Sequence, residues 1–254
     1  MKNHFLKTIY FDNSKLWKQS NIDSIYKGWF DLEKEATSDE YIKEIDVFKN
    51  IKELELSEQI TYFVWENGSW KSTLLEAIAV AFGFNKEWGT IHSNYKTNNI
   101  DNIKNNWLKL SWQPNKFKWG YFFRAEWVYN FVNYLQNIDD WHSFTRYGWK
   151  NLHNFSHWQQ FMKILESMID NVGFYVFDEI ESALSPANQL KAVRIIEHMV
   201  KQWSQFIIAT HSPIILGIKE KSQILSFDHN FIDEIDYEMT PCVDMYKRVL
   251  NNKI

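Results

Sequence analysis

Nine consecutive residues, Trp65-Glu66-Asn67-Gly68-Ser69-Trp70-Lys71-Ser72-Thr73, keep the frame of a phosphate-binding loop, G-x-x-x-x-G-K-[ST], with tryptophan at both glycine positions. In such a loop the backbone N–H groups wrap a β-phosphate, the lysine (Lys71) reaches the β- and γ-phosphates, and the hydroxyl after it (Ser72) ligates Mg²⁺. Taken alone, the run reads equally well as an Asn-Gly-Ser turn capping a helix. Its meaning depends on what surrounds it.

Residues 174–179 are an apolar run, Phe-Tyr-Val-Phe, ending in Asp178 and Glu179. An aspartate there would hold Mg²⁺ through water, and a glutamate would polarise an attacking water as general base. On its own, an acidic pair after a strand is more often a solvated strand end. Residues 205–213 give a second apolar run, closed by Thr210-His211-Ser212-Pro213, with His211 placed to touch a γ-phosphate. An isolated histidine is more often structural, but one directly after a buried strand favours the functional reading. Upstream, Ser156-His157-Trp158-Gln159-Gln160 opens a helix with Ser156 as its natural N-cap. The order of phosphate loop, serine-initiated helix, acidic strand end, Ser182-Ala183-Leu184-Ser185 and histidine, all in one chain, is far more specific than any one of them.

The elements that must carry these groups are legible in the hydrophobic pattern. Residues 5–11 alternate loosely as an edge strand, whereas 12–53 are polar and mixed. Residues 60–64 are a β-branched and aromatic run suited to a buried strand, and 71–82 repeat apolar residues at helical spacing. Residues 85–106 read as a polar surface loop, 108–112 and 121–124 as strands, 126–136 as a helix, and 137–155 as a second polar connection. The spacing predicts a helix over 158–169, a strand over 174–177, a proline-opened helix over 186–201 and a strand over 205–209. A hairpin over 224–227 and 231–235 precedes a final helix from about residue 243. Strand alternating with helix predicts an α/β fold with a mostly parallel sheet, whose ligands bind beyond the carboxyl ends of the strands.

Bulk properties narrow the class. The chain has 254 residues, 45% of them hydrophobic, and a net charge of −4, so it lacks a broad basic field for non-specific nucleic-acid binding. Its single cysteine, Cys242, cannot form an internal disulfide, which fits a reducing cytoplasm. No run of about 18 apolar residues is present, and no apolar signal core follows Met1.

On these residues the chain resembles the ABC-type P-loop ATPases, most closely the small bacterial AAA family ATPases related to the heads of SMC-like and RecF-like proteins. The resemblance runs over roughly residues 54–250 and rests on residues 63–79, 119–126, 147–159, 178–186 and 206–213. It implies an ABC ATPase head with a mostly parallel sheet flanked by helices, a small antiparallel β part and a small helical lobe. That lobe is expected at about residues 95–157 of a single domain. It further implies ATP and Mg²⁺ as ligands, with residues 65–73 on the phosphates, Ser72 and Asp178 on the metal, Glu179 as catalytic base and His211 as γ-phosphate sensor. Ser156 to Gln159 resembles the signature segment, which in the family contacts the ATP held by the opposite subunit, and Ser182 to Ser185 resembles the D-loop. The glutamine loop is assigned to the region after Arg124. Partners implied are ATP and a second copy in an ATP-sandwich homodimer, with a separate membrane subunit or a DNA-processing partner left open.

Departures from the family pattern are of two kinds. Ile180 stands where proline is usual and Gln159 where glutamate is usual, and neither removes a reacting group. More seriously, Trp65, Trp70, Trp119, Trp149, Trp158 and Trp203 each occupy a glycine position of that pattern. The chain holds 13 Trp and only 8 Gly, against an average glycine share of roughly 7%. Glycine suits such loops because its backbone visits φ > 0 and leaves room for a phosphate. An indole at position 70 would crowd that site. A decayed pseudo-ATPase should also have lost Lys71, Asp178, Glu179 or His211, yet all four remain. Substitution in one chemical direction points instead to UGA codons that the host reads as glycine, with Trp112 a genuine tryptophan. If the tryptophans are real, the alternative is a non-catalytic scaffold with an ABC fold.

Overall fold

A computed structural model describes residues 6–12, 51–65, 70–84, 89–90, 107–112, 119–124, 157–228 and 231–251. The expected loop and helix over 126–155, the remainder of 12–53, and most of 85–106 lie outside them. Within the described residues the strands are β1 (Leu6–Phe11), β2 (Glu53–Glu55), β3 (Ile60–Val64), β4 (Gly89–Thr90), β5 (Leu108–Trp112), β6 (Trp119–Arg124), β7 (Gly173–Asp178), β8 (Gln205–Ala209), β9 (Ser222–Ser226) and β10 (Asp233–Glu234). The helices are α1 (Trp70–Phe82), α2 (His157–Ser167), α3 (Pro186–Lys201) and α4 (Pro241–Leu250).

A seven-stranded sheet has the order β10-β9-β3-β8-β7-β6-β4, and a second sheet pairs β2-β1-β5. The inner pairings β9/β3, β3/β8, β8/β7 and β7/β6 are parallel, whereas β4 and β10 close the edges antiparallel. The small sheet is antiparallel throughout. Fold class is therefore mixed α/β with a mostly parallel sheet and a small antiparallel one. Of the span 95–157, β5 belongs to the small sheet and β6 to the large one.

Strand β3 is buried along its whole length because both faces of the large sheet are covered, which is why parallel strands read as unbroken apolar runs. Alternate residues divide between two cores. Tyr62, Phe177, Phe206 and Ile208 pack with Phe161, Leu165, Ile196 and Met199 of α2 and α3. Phe63, Val176, Ile207 and Ala209 pack with Leu74, Leu75 and Ile78 of α1 and with Leu6, Ile9 and Leu54 of the small sheet. The small sheet thus shares one face of the large sheet with α1.

Buried glutamines join the layers. The Gln205 amide reproduces a strand pairing, accepting from Leu6 N at 2.7 Å and donating to Leu6 O at 2.9 Å, so β8 holds β1 across the two sheets. Gln223 likewise accepts from Ser57 N at 2.9 Å and donates to Glu55 O at 3.1 Å. In such sites the amide satisfies backbone groups that burial would otherwise leave without water.

Candidate functional site

Register decides where the motifs meet. Phe63 of β3 pairs with Ala209 of β8, Ala209 with Asp178 of β7, and Asp178 with Arg124 of β6. Four parallel strands therefore end level, and the segments after residues 64, 124, 178 and 209 leave from one edge of the sheet. Strands lie about 4.8 Å apart, so β8 spaces the phosphate-loop strand about two strand widths from Asp178. A crevice of this kind at the carboxyl ends is where α/β sheets bind ligands.

Of the loop, residues 66–69 (Glu66, Asn67, Gly68, Ser69) lie outside the described residues, as do the side chains of Trp70 and Lys71 and the whole of Ser156. Helix α1 begins at Trp70, which places Lys71, Ser72 and Thr73 in its first turn, where backbone N–H groups lack helical partners. Ser72 and Thr73 are half-buried. The Trp65 indole is 3% exposed and sits edge-on to Phe227 at 5.5 Å, lodged in the core beside α1. The indole at position 65 is therefore directed into the core, while the crowding expected of the indole at position 70 falls on a side chain outside the described residues. Gln159 lies half-buried in the first turn of α2.

Asp178 is 2% exposed. Its Oδ2 accepts from Arg124 Nε at 2.9 Å, while its buried Oδ1 has no hydrogen-bond partner among the described residues. An orphaned carboxylate oxygen at a strand end is what a metal-held water requires, so Asp178 fits the Mg²⁺ role. Arg124 also reaches towards Glu76 of α1, Nη2 to Oε2 3.9 Å.

Glu179 leaves the strand in the left-handed region, φ 49°, and its N–H donates to Ala209 O at 3.0 Å. A non-glycine residue there costs about 1–2 kcal/mol, a strain found disproportionately at functional sites. The turn carries its carboxylate to within 3.8 Å of His211 Nε2, and both side chains are open to solvent, 44% and 41% exposed. A carboxylate and an imidazole side by side at the crevice can polarise a water and meet a terminal phosphate.

His211 is itself held from behind. Its backbone N–H donates to Glu181 Oε1 at 2.6 Å. Ser212 anchors the next step, its hydroxyl donating to Gln189 Oε1 at 2.6 Å and accepting from Ile214 N and Ile215 N. Burial, the largest influence, pushes the Glu181 carboxyl above its ordinary 4.5 despite the hydrogen bonds it accepts. Ile180–Ala183 form a short 3-10 turn that overlaps the start of the expected D-loop, residues 182–185, with Ser182 Oγ donating to Glu179 O at 2.9 Å.

Two residues of this cluster escape the motif reading, Arg124 and Glu181. Arginine occurs only at positions 124, 146, 194 and 248 of this lysine-rich chain, a signal that could have marked Arg124. Glu181 carries no comparable mark. An open cleft lined by Tyr10, Phe11, Asp12, Lys52 and Lys109 lies on the small sheet and borders none of the motif residues.

No family model matches the sequence. Among solved structures the chain is similar to a metal-chelate-type ABC transporter in an inward-facing conformation, at 15% identity over 73% of this chain and 75% of that one, with a TM-score of 0.45. It is similar to an SMC head domain from Thermotoga maritima at 16% identity, over 91% of this chain and 98% of that one, with a TM-score of 0.44. Over 38% of this chain and 30% of the other, it is similar to an SMC head bound to the C-winged helix domain of ScpA, at 20% identity with a TM-score of 0.29. These are distant likenesses.

Proposed function

We propose that the chain is an ABC-type ATPase head that binds ATP and hydrolyses it with Mg²⁺, working as an ATP-sandwich homodimer in the cytoplasm. The observation that carries this reading is the level ending of β3, β8 and β7, which brings the loop strand, Asp178, Glu179 and His211 to one crevice. In this reading residues 65–73 hold the phosphates, with Lys71 on the β- and γ-phosphates. Ser72 and, through water, Asp178 hold Mg²⁺, which supplies charge neutralisation at the phosphates. Glu179 takes up the proton of the attacking water and His211 contacts the γ-phosphate. Ser156 and Gln159 serve the ATP of the opposite subunit. Among the described residues no helix is long and apolar enough to cross a membrane, and a separate membrane subunit is one partner this reading admits. A DNA-processing partner is the other assembly this reading admits.

The glycine reading of the tryptophans gains support at position 203. Trp203 has φ 75° and ends α3 with its N–H on Val200 O and the Ser204 N–H on Met199 O. This is a Schellman motif with tryptophan at the position that favours glycine. Burial of Trp65 against Phe227 favours the second reading, a non-catalytic scaffold in which the tryptophan is native.

ATP affinity of the unaltered chain, measured beside one carrying Trp65→Gly, Trp70→Gly and Trp158→Gly, separates the two. Tight binding only by the glycine-bearing chain supports the ATPase; no binding by either sinks it. Gene sequence offers an independent check: UGA at positions 65, 70 and 203 with UGG at 112 supports glycine, and UGG throughout refutes it. In the binding-competent chain Glu179→Gln should leave ATP affinity intact and lower turnover by about 10²–10⁴-fold.

A further inference from the structure

Arg124 closes β6 at the level of Asp178, and its guanidinium spans the gap between the carboxylate assigned to the metal and Glu76 on the helix that follows the phosphate loop. Its side chain is 16% exposed, against 3% for that of Asp178, so the pair is largely shielded from solvent. We propose that Arg124 is a nucleotide-contacting residue that holds Asp178 as a resident counter-ion while the crevice is empty and transfers to a terminal phosphate oxygen when a nucleoside triphosphate enters.

This role of Arg124 rests on the ATPase reading above and on the charges and hydrogen bonds of the pair. A guanidinium and a divalent cation repel one another, so Arg124 on Oδ2 opposes the metal role of the same carboxylate. Asp178 meanwhile keeps Oδ1 without a hydrogen-bond partner among the described residues, so only half of the carboxylate is committed to Arg124. Finally, arginine offers five N–H donors in a planar fork suited to phosphate, and its Nε alone engages Asp178 at hydrogen-bond distance. With a triphosphate and its metal bound, Asp178 would hold the metal through water, which would free Arg124 to place its guanidinium on the phosphate.

The test uses the full chain, unaltered and with Trp65→Gly, Trp70→Gly and Trp158→Gly, each beside Arg124→Gln and Arg124→Lys. Mn²⁺ binding without nucleotide is read by electron paramagnetic resonance, and affinities for ATP and ADP by calorimetry. Arg124→Gln should tighten Mn²⁺ binding at least fivefold, because Asp178 loses the cation at its Oδ2. The same variant should reduce the preference for ATP over ADP at least tenfold. Arg124→Lys, which keeps the charge but not the fork, should leave Mn²⁺ binding unchanged and reduce that preference by a smaller factor, and it decides the matter if the glutamine variant fails to fold. An ion pair that only braces the fold would leave the ATP:ADP ratio untouched in both variants, and unchanged Mn²⁺ binding by folded Arg124→Gln would likewise overturn the exchange. Failure of every chain to bind ATP or ADP would overturn the ATPase reading itself, while the Mn²⁺ measurement still reports on Arg124 and Asp178.

Discussion

The Glu181 carboxylate accepts the backbone N–H of His211 at 2.6 Å, so the residue two places after the candidate catalytic base fixes the candidate phosphate sensor. Because the acceptor is buried, its loss should be costly. Glu181→Leu leaves the His211 amide without its partner and should destabilise the fold by about 1–3 kcal/mol relative to Glu181→Gln, which retains an acceptor oxygen. Urea denaturation of the two variants at pH 7 measures the difference; equal stabilities would show that the hydrogen bond does not anchor the segment.

Stability should also depend on pH through Glu181. Burial raises its folded pKa above the ordinary 4.5, so the folded state holds this proton more tightly than the unfolded state does. The resulting stabilisation is complete below about pH 4.5 and is lost as pH rises through the folded value. Wild type should therefore lose stability relative to Glu181→Gln as pH rises across that window. A difference that stays flat, or runs the other way, contradicts the desolvated carboxyl.

Two tryptophans at glycine positions should respond in opposite directions. Trp203 is half exposed and left-handed, so Trp203→Gly should stabilise the chain by about 1 kcal/mol, the relief of φ > 0 exceeding the loss of the contact with Lys221 5.4 Å from its ring. Trp65→Gly instead removes a buried indole and should destabilise the nucleotide-free chain by about 3–5 kcal/mol. Thermal melting of each single variant distinguishes the signs.

Gln205→Leu should cost about 2–4 kcal/mol, since it leaves both Leu6 N and Leu6 O without their side-chain partner in a buried setting. Hydrogen exchange should show the amide of Leu6 losing protection first, with β3 and β7 protected as before. Simultaneous loss across all strands would mean that β1 is not a separable layer.

At the start of β7, a Cβ on Gly173 would lie 2.5 Å from the Trp119 carbonyl oxygen, a backbone atom that cannot rotate away. Gly173→Ala should accordingly destabilise by about 1–3 kcal/mol by prising β6 from β7. A chemical-denaturation midpoint equal to wild type would refute the close approach.

Much of this architecture could be read locally. The bounds 60–64, 186–201 and 205–209 coincide with those of β3, α3 and β8, because a buried parallel strand is an unbroken apolar run and a proline-opened amphipathic helix carries its own period. Other bounds moved by a residue or two in either direction, α2 ending at Ser167 rather than 169 and β10 shrinking to Asp233–Glu234 from 231–235. Strand β6 begins at Trp119 rather than 121, and α4 at Pro241 rather than about 243, since pairing and proline extend elements beyond their apolar centres. Strand β4 at Gly89–Thr90 falls in a stretch read as loop, because two residues have no period and become a strand only by pairing with β6.

By itself, then, the sequence determined most of the strands and helices found among the described residues and which residue types stand at their ends, because those follow from local periodicity and capping, while the short strands β2 and β4 exist only through pairing. It also named Asp178, Glu179 and His211 as candidates in one order along the chain. Only the tertiary structure decided that β8 lies between β3 and β7, that four strands end level, and that Arg124 reaches Asp178 across 54 positions of chain and Glu181 reaches His211 across 30. Strand neighbours and registers are chosen by burying both sheet faces at once, which depends on every layer together and leaves no mark at any single position. The same holds for the tryptophans: one type at one kind of position is buried at 65 and strained at 203, and only the surrounding packing tells them apart.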